Sequence, residues 1–281
     1  MADGRRSLAM TIDFEDYRRQ ELRDHLGEPQ PPHPVEVERQ LDALLGLLEG
    51  LDARATFFSV GRLTGELARS VWARIGARHR IGCHGHEHLR VNAIGRERFR
   101  EDLRRAKAAL EDASGTAVVS FRAPYFASDG ADPWFGEVLA GEGFRVDSSR
   151  RLAAPPAGFA GSYALEGSDG RVLEVPLASI GYGPKRLSVI GGSYFRLLPL
   201  GAIRRLLGRA EAQGFLPMIY LHPYDIDALA PPLAYPRRGY ARQKLGDWVR
   251  RRGRATAAAK LRALADSYEF MPVEAILPAR A

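Results

Sequence analysis

Hydrophobic residues along the chain form two patterns, short apolar runs and longer stretches in which they recur every three or four positions. The short runs are rich in β-branched and aromatic residues, which favours strands, and the longer stretches have the period of amphipathic helices. The predicted strands cover residues 7–12, 55–60, 81–83, 118–121, 144–146, 172–175, 217–221 and 269–271. The predicted helices cover residues 35–51, 63–78, 133–140 and 203–212, and another carries Phe99, Leu103, Ala106 and Leu110 on one face.

The order of these elements predicts the fold class. Strands that alternate with helices form a parallel sheet, and about seven such units indicate a closed or nearly closed barrel. No repeat, low-complexity tract or linker divides the sequence. We therefore expect residues 1–281 to form one α/β domain, a distorted (β/α) barrel with a helix-rich C-terminal extension. Three long connections, at residues 16–34, 148–170 and 224–240, are expected to form the walls of a substrate groove.

Reactive side chains follow five of the predicted strands, each time at the carboxyl end of the strand. In chain order they are Asp13, Glu15 and Asp16, then His84, His86 and His88, then Arg122, Asp147 and His222. Because the carboxyl ends of parallel strands open on one face of a barrel, we expect these side chains to converge on one site. Such convergence of distant segments favours catalysis over chance.

The histidine-rich segment CHGHEH, at residues 83–88, is the clearest candidate for metal binding. His84 and His88 are four positions apart, a spacing that lets both imidazoles bind one ion. The same spacing occurs on any polar helix face, but three histidines in six residues, in a chain that has only seven, favour ligation. His86 is expected to point away. Of the carboxylates near Asp13, one is expected to bind the metal while another acts as a base, since a cation and like charges separate their pKa values.

Each of the remaining residues also has an ordinary structural interpretation. Asp13 is suited to cap a turn, Asp147 to cap a helix, and His222 to be a buried histidine beside its strand. Arg122 is suited to a surface turn, but an arginine that follows a buried strand usually needs a carboxylate, and Asp147 is available. The shared position on one barrel face favours catalytic roles.

Composition narrows the class of protein. With 45% hydrophobic and 27% charged residues the chain reads as globular, and no apolar run approaches the length of a membrane span. A single cysteine, Cys83, excludes an internal disulfide, and no apolar signal core is present near residue 1, so we expect a cytoplasmic protein. The net charge is +7 and basic residues are densest at 237–254, a region suited to an anionic polymer, a lipid headgroup or nucleic acid. Because we find no aromatic interleaving in this region, a solvated helix face is favoured and no nucleic-acid partner is expected.

The motifs resemble those of the polysaccharide deacetylase family, also described as NodB-homology or carbohydrate esterase family 4 enzymes. Five motifs occur in the family's order: TIDFED at residues 11–16, HGHEH at 84–88, RAPY at 122–125, DSS at 147–149 and LHP at 221–223. The strand sequence ATFF at 55–58 lies between the first two. The resemblance touches most of the chain and implies a distorted barrel that holds a divalent metal ion.

A closer likeness is to deacetylases associated with exosortase and exopolysaccharide gene clusters. It rests on DFEDY at residues 13–17, GGSYFR at 191–196 and YLHPYDID at 220–227. The GGSYFR segment lacks the glycine spacing of a nucleotide site, so we interpret it as a structural or groove-lining loop. This subgroup is also similar to allantoinase-like and peptidoglycan-deacetylase-like members, so the resemblance constrains the reaction type more than the substrate.

The resemblance implies a metal site, usually zinc, with cobalt, manganese and nickel as alternatives. His84 and His88 match the metal ligands, and Asp13 matches the base. A carboxylate of the first motif completes the set, although the sequence departs from the family's commoner adjacent pair of aspartates. Side chains two apart share one face of a strand, which favours Glu15; Asp16 becomes the candidate if the strand has already ended.

The resemblance also implies roles for the other motif residues. Arg122 would orient Asp13, and Asp147 would tether Arg122 or His222. The backbone N–H of Tyr125 would stabilise the oxyanion, and His222 would protonate the departing amine.

The function implied is removal of N-acetyl groups from an amino-sugar polymer or lipid-linked oligosaccharide during exopolysaccharide biosynthesis. The expected substrate is an N-acetylated glycan, and the expected partner is membrane-associated polysaccharide synthesis machinery at the inner face of the membrane. Two alternatives remain open. One is hydrolysis of a small cyclic amide or ureide, as in the allantoinase-like relatives, and the other is a non-catalytic barrel that binds polysaccharide.

Overall fold

Strands and helices alternate up to residue 141 as the hydrophobic pattern predicts, whereas six described strands follow one another between residues 146 and 188. The computed structural model describes residues 4–128, 133–182, 185–188, 191–236 and 239–277. The strands are β1 (Arg6–Phe14), β2 (Thr56–Ser59), β3 (Arg80–Cys83), β4 (Ser120–Phe121), β5 (Val146–Asp147), β6 (Arg151–Leu152), β7 (Tyr163–Ala164), β8 (Leu173–Glu174), β9 (Leu177–Tyr182), β10 (Lys185–Ser188), β11 (Met218–Leu221) and β12 (Tyr268–Met271).

Most of the helices between them are longer than the strands. They are α1 (Tyr17–Leu26), α2 (Pro34–Gly50), α3 (Arg69–Arg78), α4 (Val91–Ile94), α5 (Arg96–Ser114), α6 (Pro133–Gly141), α7 (Gly192–Leu197), α8 (Leu200–Ala212), α9 (Ala241–Arg251) and α10 (Arg254–Ala265). Short 3₁₀ turns cover Gly61–Gly65, Pro124–Phe126, Pro223–Ile226 and Val273–Ile276.

One curled sheet organises the molecule. Its strands lie in the order β11-β1-β2-β3-β4-β5-β8-β7, and β12 also pairs with β1. All pairings in this sheet are parallel among the described residues except that of β7 with β8. An isolated parallel bridge joins Gly161 to Phe215, so the two ends of the curl approach each other. The predicted fold class, a distorted (β/α) barrel of mostly parallel strands, is therefore confirmed, whereas the single-domain assignment stays a prediction.

The side chains of β1 show how the sheet separates core from site. Leu8, Met10, Ile12 and Phe14 belong to the large outer core that the sheet forms with the helices. The intervening side chains face the other way because successive residues of a strand point to opposite faces. Ala9 accordingly lies in a smaller cluster inside the curl, with Phe58, Val146, Val175 and Met218. Asp13 shares the inward face with Ala9, so the pleat of β1 carries its carboxylate to the interior.

The long connection after β1 contains a helix that the hydrophobic pattern did not indicate. α1 has no apolar stripe, and its only buried residues are Gln20 and Leu22. Asp16 caps its N-terminus by accepting the backbone N–H of Arg19, and Gly27 ends it in the left-handed conformation. The helix is therefore held by capping and by polar contacts to its neighbours, which leave no hydrophobic periodicity in the sequence.

The other two long connections differ from one another. Residues 148–170 contain β6 and β7, while residues 224–236 are mostly irregular beyond a 3₁₀ turn, with 237 and 238 outside the described residues. No helix in the described part of the chain combines the length and apolarity needed to span a membrane.

Candidate active site

Three side chains form a group with the donor atoms of a metal site. One ligand atom from each of Glu15, His84 and His88 lies within 4.8 Å of the other two, and all three residues are buried. Glu15 directly follows β1 and His84 directly follows β3, so neighbouring parallel strands deliver them to the same end of the sheet. Two imidazoles and one carboxylate are a ligand set found in metal sites that keep a coordination position open for water or substrate.

Hydrogen bonds and burial prepare His84 to bind a cation. Its Nδ1 donates to the backbone oxygen of Arg122 over 2.7 Å, which directs Nε2 into the site. Burial lowers the pKa of His84 to about 4, so the ring is neutral near neutral pH, as a metal ligand must be.

Glu15 is charged in this site and lies close to two imidazoles. Its Oε2 is 2.7 Å from His88 Nε2, and its Oε1 is 3.5 Å from His222 Nε2. Burial raises the pKa of the Glu15 carboxyl, but the neighbouring His88 and His222 outweigh this effect and lower it to about 2. A full negative charge is therefore available between the two rings.

His86, the middle histidine of the motif, is outside this group. Its Nε2 is 3.7 Å from a carboxylate oxygen of Glu87. The loop that carries it is held by the buried Asp102 of α5, whose carboxylate accepts the backbone N–H groups of His86 and Glu87 at 2.7 and 3.0 Å. The sequence interpretation did not single out Asp102, although an acidic residue on the apolar face of α5 was a usable signal.

Asp16 does not reach the metal group, which corrects its place among the candidate ligands. Both of its oxygens are used elsewhere: Oδ1 accepts from the N–H of Arg19 at 3.0 Å, and Oδ2 accepts from the N–H of His33 at 2.7 Å. β1 ends at Phe14, the condition under which Asp16 was the expected ligand, yet Glu15 occupies the position. Because Asp16 is used as the N-cap of α1, Glu15 is the carboxylate that approaches the two histidines.

Arg122 holds Asp13 inside the curl. The guanidinium is fully buried, and its Nη1 donates to Asp13 Oδ1 at 2.9 Å and to Thr11 Oγ1 at 2.9 Å. It also lies 4.3 Å from the ring centre of Phe58. This contact places the guanidinium directly against the Asp13 carboxylate and fixes its orientation.

Asp147 contacts neither Arg122 nor His222 in the described structure, so the tethering role expected for it is wrong. Val146 lies inside the curl, Asp147 therefore faces the opposite side of β5, and Ser148 faces inward again. Ser148 takes the place expected for Asp147, because its backbone oxygen and its Oγ each accept from Arg122 at 3.0 Å. Asp147 instead lies beside Glu174, and burial raises the pKa values of both carboxyls.

His222 is held by a carboxylate that the sequence interpretation missed. Asp225 Oδ2 accepts the backbone N–H of His222 at 2.8 Å and lies 3.3 Å from its Nδ1. Burial lowers the pKa of His222, but the hydrogen bond to Asp225 and the charges of Glu15 and Asp13 outweigh it and raise the value to about 9. His222 is thus a proton donor near neutral pH.

A buried arginine fixes Asp225 in turn. Arg196 Nε donates to Asp225 Oδ1 at 2.6 Å, and neither side chain is exposed. Arg196 is the last residue of the GGSYFR segment, which therefore serves the site by anchoring the partner of His222. Arg196 and Asp225 lie in the two motifs at residues 191–196 and 220–227 that the sequence analysis singled out. The sequence did not show that these two residues form an ion pair.

Tyr125 lies at the mouth of the site in an unusual backbone conformation. Its φ is 60°, and its N–H makes no hydrogen bond to another described residue. Its ring is 4.6 Å from that of His88, and its hydroxyl donates to Asp24 of α1. Arg23 of the same helix donates to the backbone oxygen of His88 at 3.3 Å. α1 therefore forms one wall of the site.

Comparisons of the sequence with protein families give two matches. Residues 32–131 match the polysaccharide deacetylase model, and residues 149–278 match a domain of unknown function, DUF3473. No curated protein matches the chain significantly.

Comparisons of the fold give several solved structures. A candidate polysaccharide deacetylase from Mycobacterium smegmatis is 19% identical, with a TM-score of 0.60 over 98% of this chain and 90% of the other. The peptidoglycan N-acetylglucosamine deacetylase Bc1960 is 13% identical, with a TM-score of 0.50 over 96% of this chain and 86% of the other. A carbohydrate esterase family 4 pseudoenzyme from Bacillus anthracis is 13% identical, with a TM-score of 0.50 over 98% and 66%. At these identities the likeness establishes the fold.

Proposed function

This chain belongs to the polysaccharide deacetylase family, and we propose that it is a metal-dependent hydrolase that removes N-acetyl groups from an amino-sugar polymer or lipid-linked oligosaccharide. The observation that carries the proposal is the convergence of the Glu15–His84–His88 group with Asp13 and His222 at one end of the sheet. The match to DUF3473 is consistent with the exopolysaccharide-associated subgroup.

The ligand set supports a divalent metal, with zinc as the first choice and cobalt, manganese or nickel as alternatives. Mixed imidazole and carboxylate donors suit these ions, and the orientation of His84 by the Arg122 carbonyl is typical of a metal ligand. An ion held by Glu15, His84 and His88 would supply a Lewis acid for the acetamide carbonyl and a lower pKa for the attacking water.

Residues of this chain accept and donate the protons of the proposed reaction. Asp13, held in place by Arg122, accepts the proton of the attacking water. The backbone N–H of Tyr125, which has no hydrogen-bond partner among the described residues, donates to the developing oxyanion. His222, positioned by Asp225, donates a proton to the sugar amine as the C–N bond breaks, because an amine anion is a very poor leaving group. The products are acetate and a free amino sugar.

The test is release of acetate from oligomers of N-acetylglucosamine by the purified chain. We expect no release after chelation and restored release after zinc, cobalt, manganese or nickel is added back. Metal that binds without restoring release from any glycan would contradict the deacetylase proposal and favour a non-catalytic polysaccharide-binding barrel.

Hydrolysis of a small cyclic amide or ureide is the second candidate. The observation that favours it is the enclosure of the site: Asp13, His84 and His88 are each at most 3% exposed, and α1 contacts the segment that carries His88. Cyclic ureides are therefore assayed beside the glycan oligomers, and hydrolysis of the ureides alone would select this candidate.

The pH dependence of turnover tests the role of His222. A general acid must be protonated, so kcat is expected to fall as pH rises through about 9. Asp225→Asn removes a hydrogen-bond partner that raises the pKa of His222, so the alkaline limb should move to lower pH by at least about one unit. The measurement is kcat against pH for the metal-loaded protein.

Asp227→Asn is the matched control, because Asp227 lies in the same segment but pairs with Arg39. Its alkaline limb should coincide with that of the unmodified protein. An unmoved limb in Asp225→Asn would show that another group is the acid.

A further inference from the structure

The outer face of α9 exposes apolar side chains among basic ones. Large hydrophobic side chains are exposed at five positions of the described chain, and two of them, Leu245 and Trp248, lie on α9 with 62% and 47% exposure. They are three positions apart and therefore share one face of the helix. Isolated exposed hydrophobic residues are common, but a pair on one turn is not explained by packing within the chain.

Basic side chains surround this pair. Arg242, Lys244 and Arg252 are exposed residues of the same segment. The guanidinium of Arg252 lies 4.0 Å from the ring centre of Trp248, which places a cation directly on the apolar surface. These five residues, Arg242, Lys244, Leu245, Trp248 and Arg252, are called the α9 patch.

The opposite face of α9 attaches the helix to the rest of the molecule. The buried Asp247 accepts the N–H of Leu233 at 3.3 Å, and Arg250 donates to Glu21 of α1 and lies over the ring of Tyr17. The inner face of α9 therefore makes contacts within the chain, and the α9 patch lies on the opposite, exposed face.

A third exposed hydrophobic residue lies close in the fold. Leu197 is 47% exposed and directly follows Arg196, whose Nη1 donates to the backbone oxygen of Arg252 at 2.7 Å. Three of the five large hydrophobic residues exposed in the described chain thus lie close to the segment in which the basic residues are densest.

We propose that the α9 patch binds the surface of an anionic lipid bilayer. Leu245 and Trp248 would enter the headgroup region, where the amphipathic indole is favoured, while the arginines and lysine extend toward lipid phosphates. Charge complementarity is the argument for this occupant: the chain carries a net charge of +7, and the basic residues flank the apolar pair on both sides.

Two other occupants fit less well. A groove on a protein partner selects an apolar stripe of several helical turns, and the patch has one apolar pair. Nucleic acid engages cations and stacking rings but offers no apolar surface for Leu245. The sequence favours a solvated face for residues 237–254, but the exposed Trp248 under Arg252 gives this segment an apolar surface as well. Residues 237 and 238 lie outside the described residues. The inference concerns binding and does not rest on the proposed function.

The test is sedimentation of the full chain with vesicles of phosphatidylcholine, with and without phosphatidylglycerol. We expect binding only to the anionic vesicles, weakened by added salt. The double variants L245S/W248S and R242E/R252E should each lower the bound fraction by about tenfold or more. The matched controls, V35S for an exposed apolar residue and R69E/R74E for the charge change, should bind as the unmodified chain does.

Insertion of Trp248 gives a second readout. Brominated lipids quench tryptophan emission at close range, and Trp72 is fully buried while Trp134 is partly buried. We expect anionic brominated vesicles to quench the tryptophan emission of the unmodified chain but not that of W248F. Because Trp248 is exposed, its replacement by phenylalanine should leave the fold intact. In the sedimentation experiment, the proposal would be overturned if the chain did not bind anionic vesicles. It would also be overturned if neither L245S/W248S nor R242E/R252E weakened the binding. Binding of RNA or an anionic polysaccharide that the same variants abolish, without vesicle binding, would also overturn it.

Discussion

Replacement of Asp13 by asparagine is expected to lower kcat by about a hundredfold to ten-thousandfold, the contribution typical of a general base. Asparagine has nearly the same shape but cannot accept the proton of water. The fold should survive, because Arg122 keeps its hydrogen bonds to Thr11 and Ser148. The measurement is acetate release by metal-loaded protein, with thermal unfolding followed in parallel.

Asp16→Asn provides the matched control from the same motif. Asp16 caps α1 and is absent from the metal group, and asparagine is an equally good cap. We expect its activity to stay near that of the unmodified chain. Full activity in Asp13→Asn would remove Asp13 from the role of base, and a large loss in Asp16→Asn would return Asp16 to the site.

Replacement of His84 by alanine should abolish turnover and lower metal affinity by at least about a hundredfold, since loss of a supporting hydrogen bond alone costs about ten- to a hundredfold. The variant leaves only Glu15 and His88 of the group. The measurement is the metal retained after dialysis, determined together with acetate release, so that ligand loss is separated from loss of chemistry.

His86→Ala distinguishes a specific ligand from a general effect of losing a histidine. His86 lies two residues from His84, and its backbone is held by Asp102 independently of its ring. We expect the alanine variant to retain metal. Equal metal loss in the two variants would mean that the loop, rather than the ligand set, controls binding.

The positions of most site residues followed from strand ends alone. Periodicity predicted a strand at residues 7–12 and another at 81–83, and the structure has β1 at Arg6–Phe14 and β3 at Arg80–Cys83. Because parallel strands run in one direction, residues that follow them lie at one end whatever the detailed packing. The approach of a carboxylate of the first motif to His84 and His88 needed no more information than that.

Helix α1 was less accessible to the same reasoning. Its sequence YRRQELRDHL lacks an apolar stripe, so hydrophobic periodicity has nothing to detect. Its formation depends on the Asp16 cap and on contacts with segments distant in the chain, such as that between Asp24 and Tyr125. The choice of Glu15 over Asp16 depends on this helix and was therefore equally hidden.

Hydrophobic periods of a few residues were sufficient to predict the parallel βα units that begin the chain and the end of the sheet at which the reactive residues gather. The contacts between individual side chains depended on the tertiary structure. Ser148 rather than Asp147 contacts Arg122, because of the pleat of β5. Asp225 pairs with Arg196, because helix α7 packs against the 3₁₀ turn at Pro223–Ile226. Such pairings depend on how the sheet curls and where the loops run, which local hydrophobic patterns do not encode.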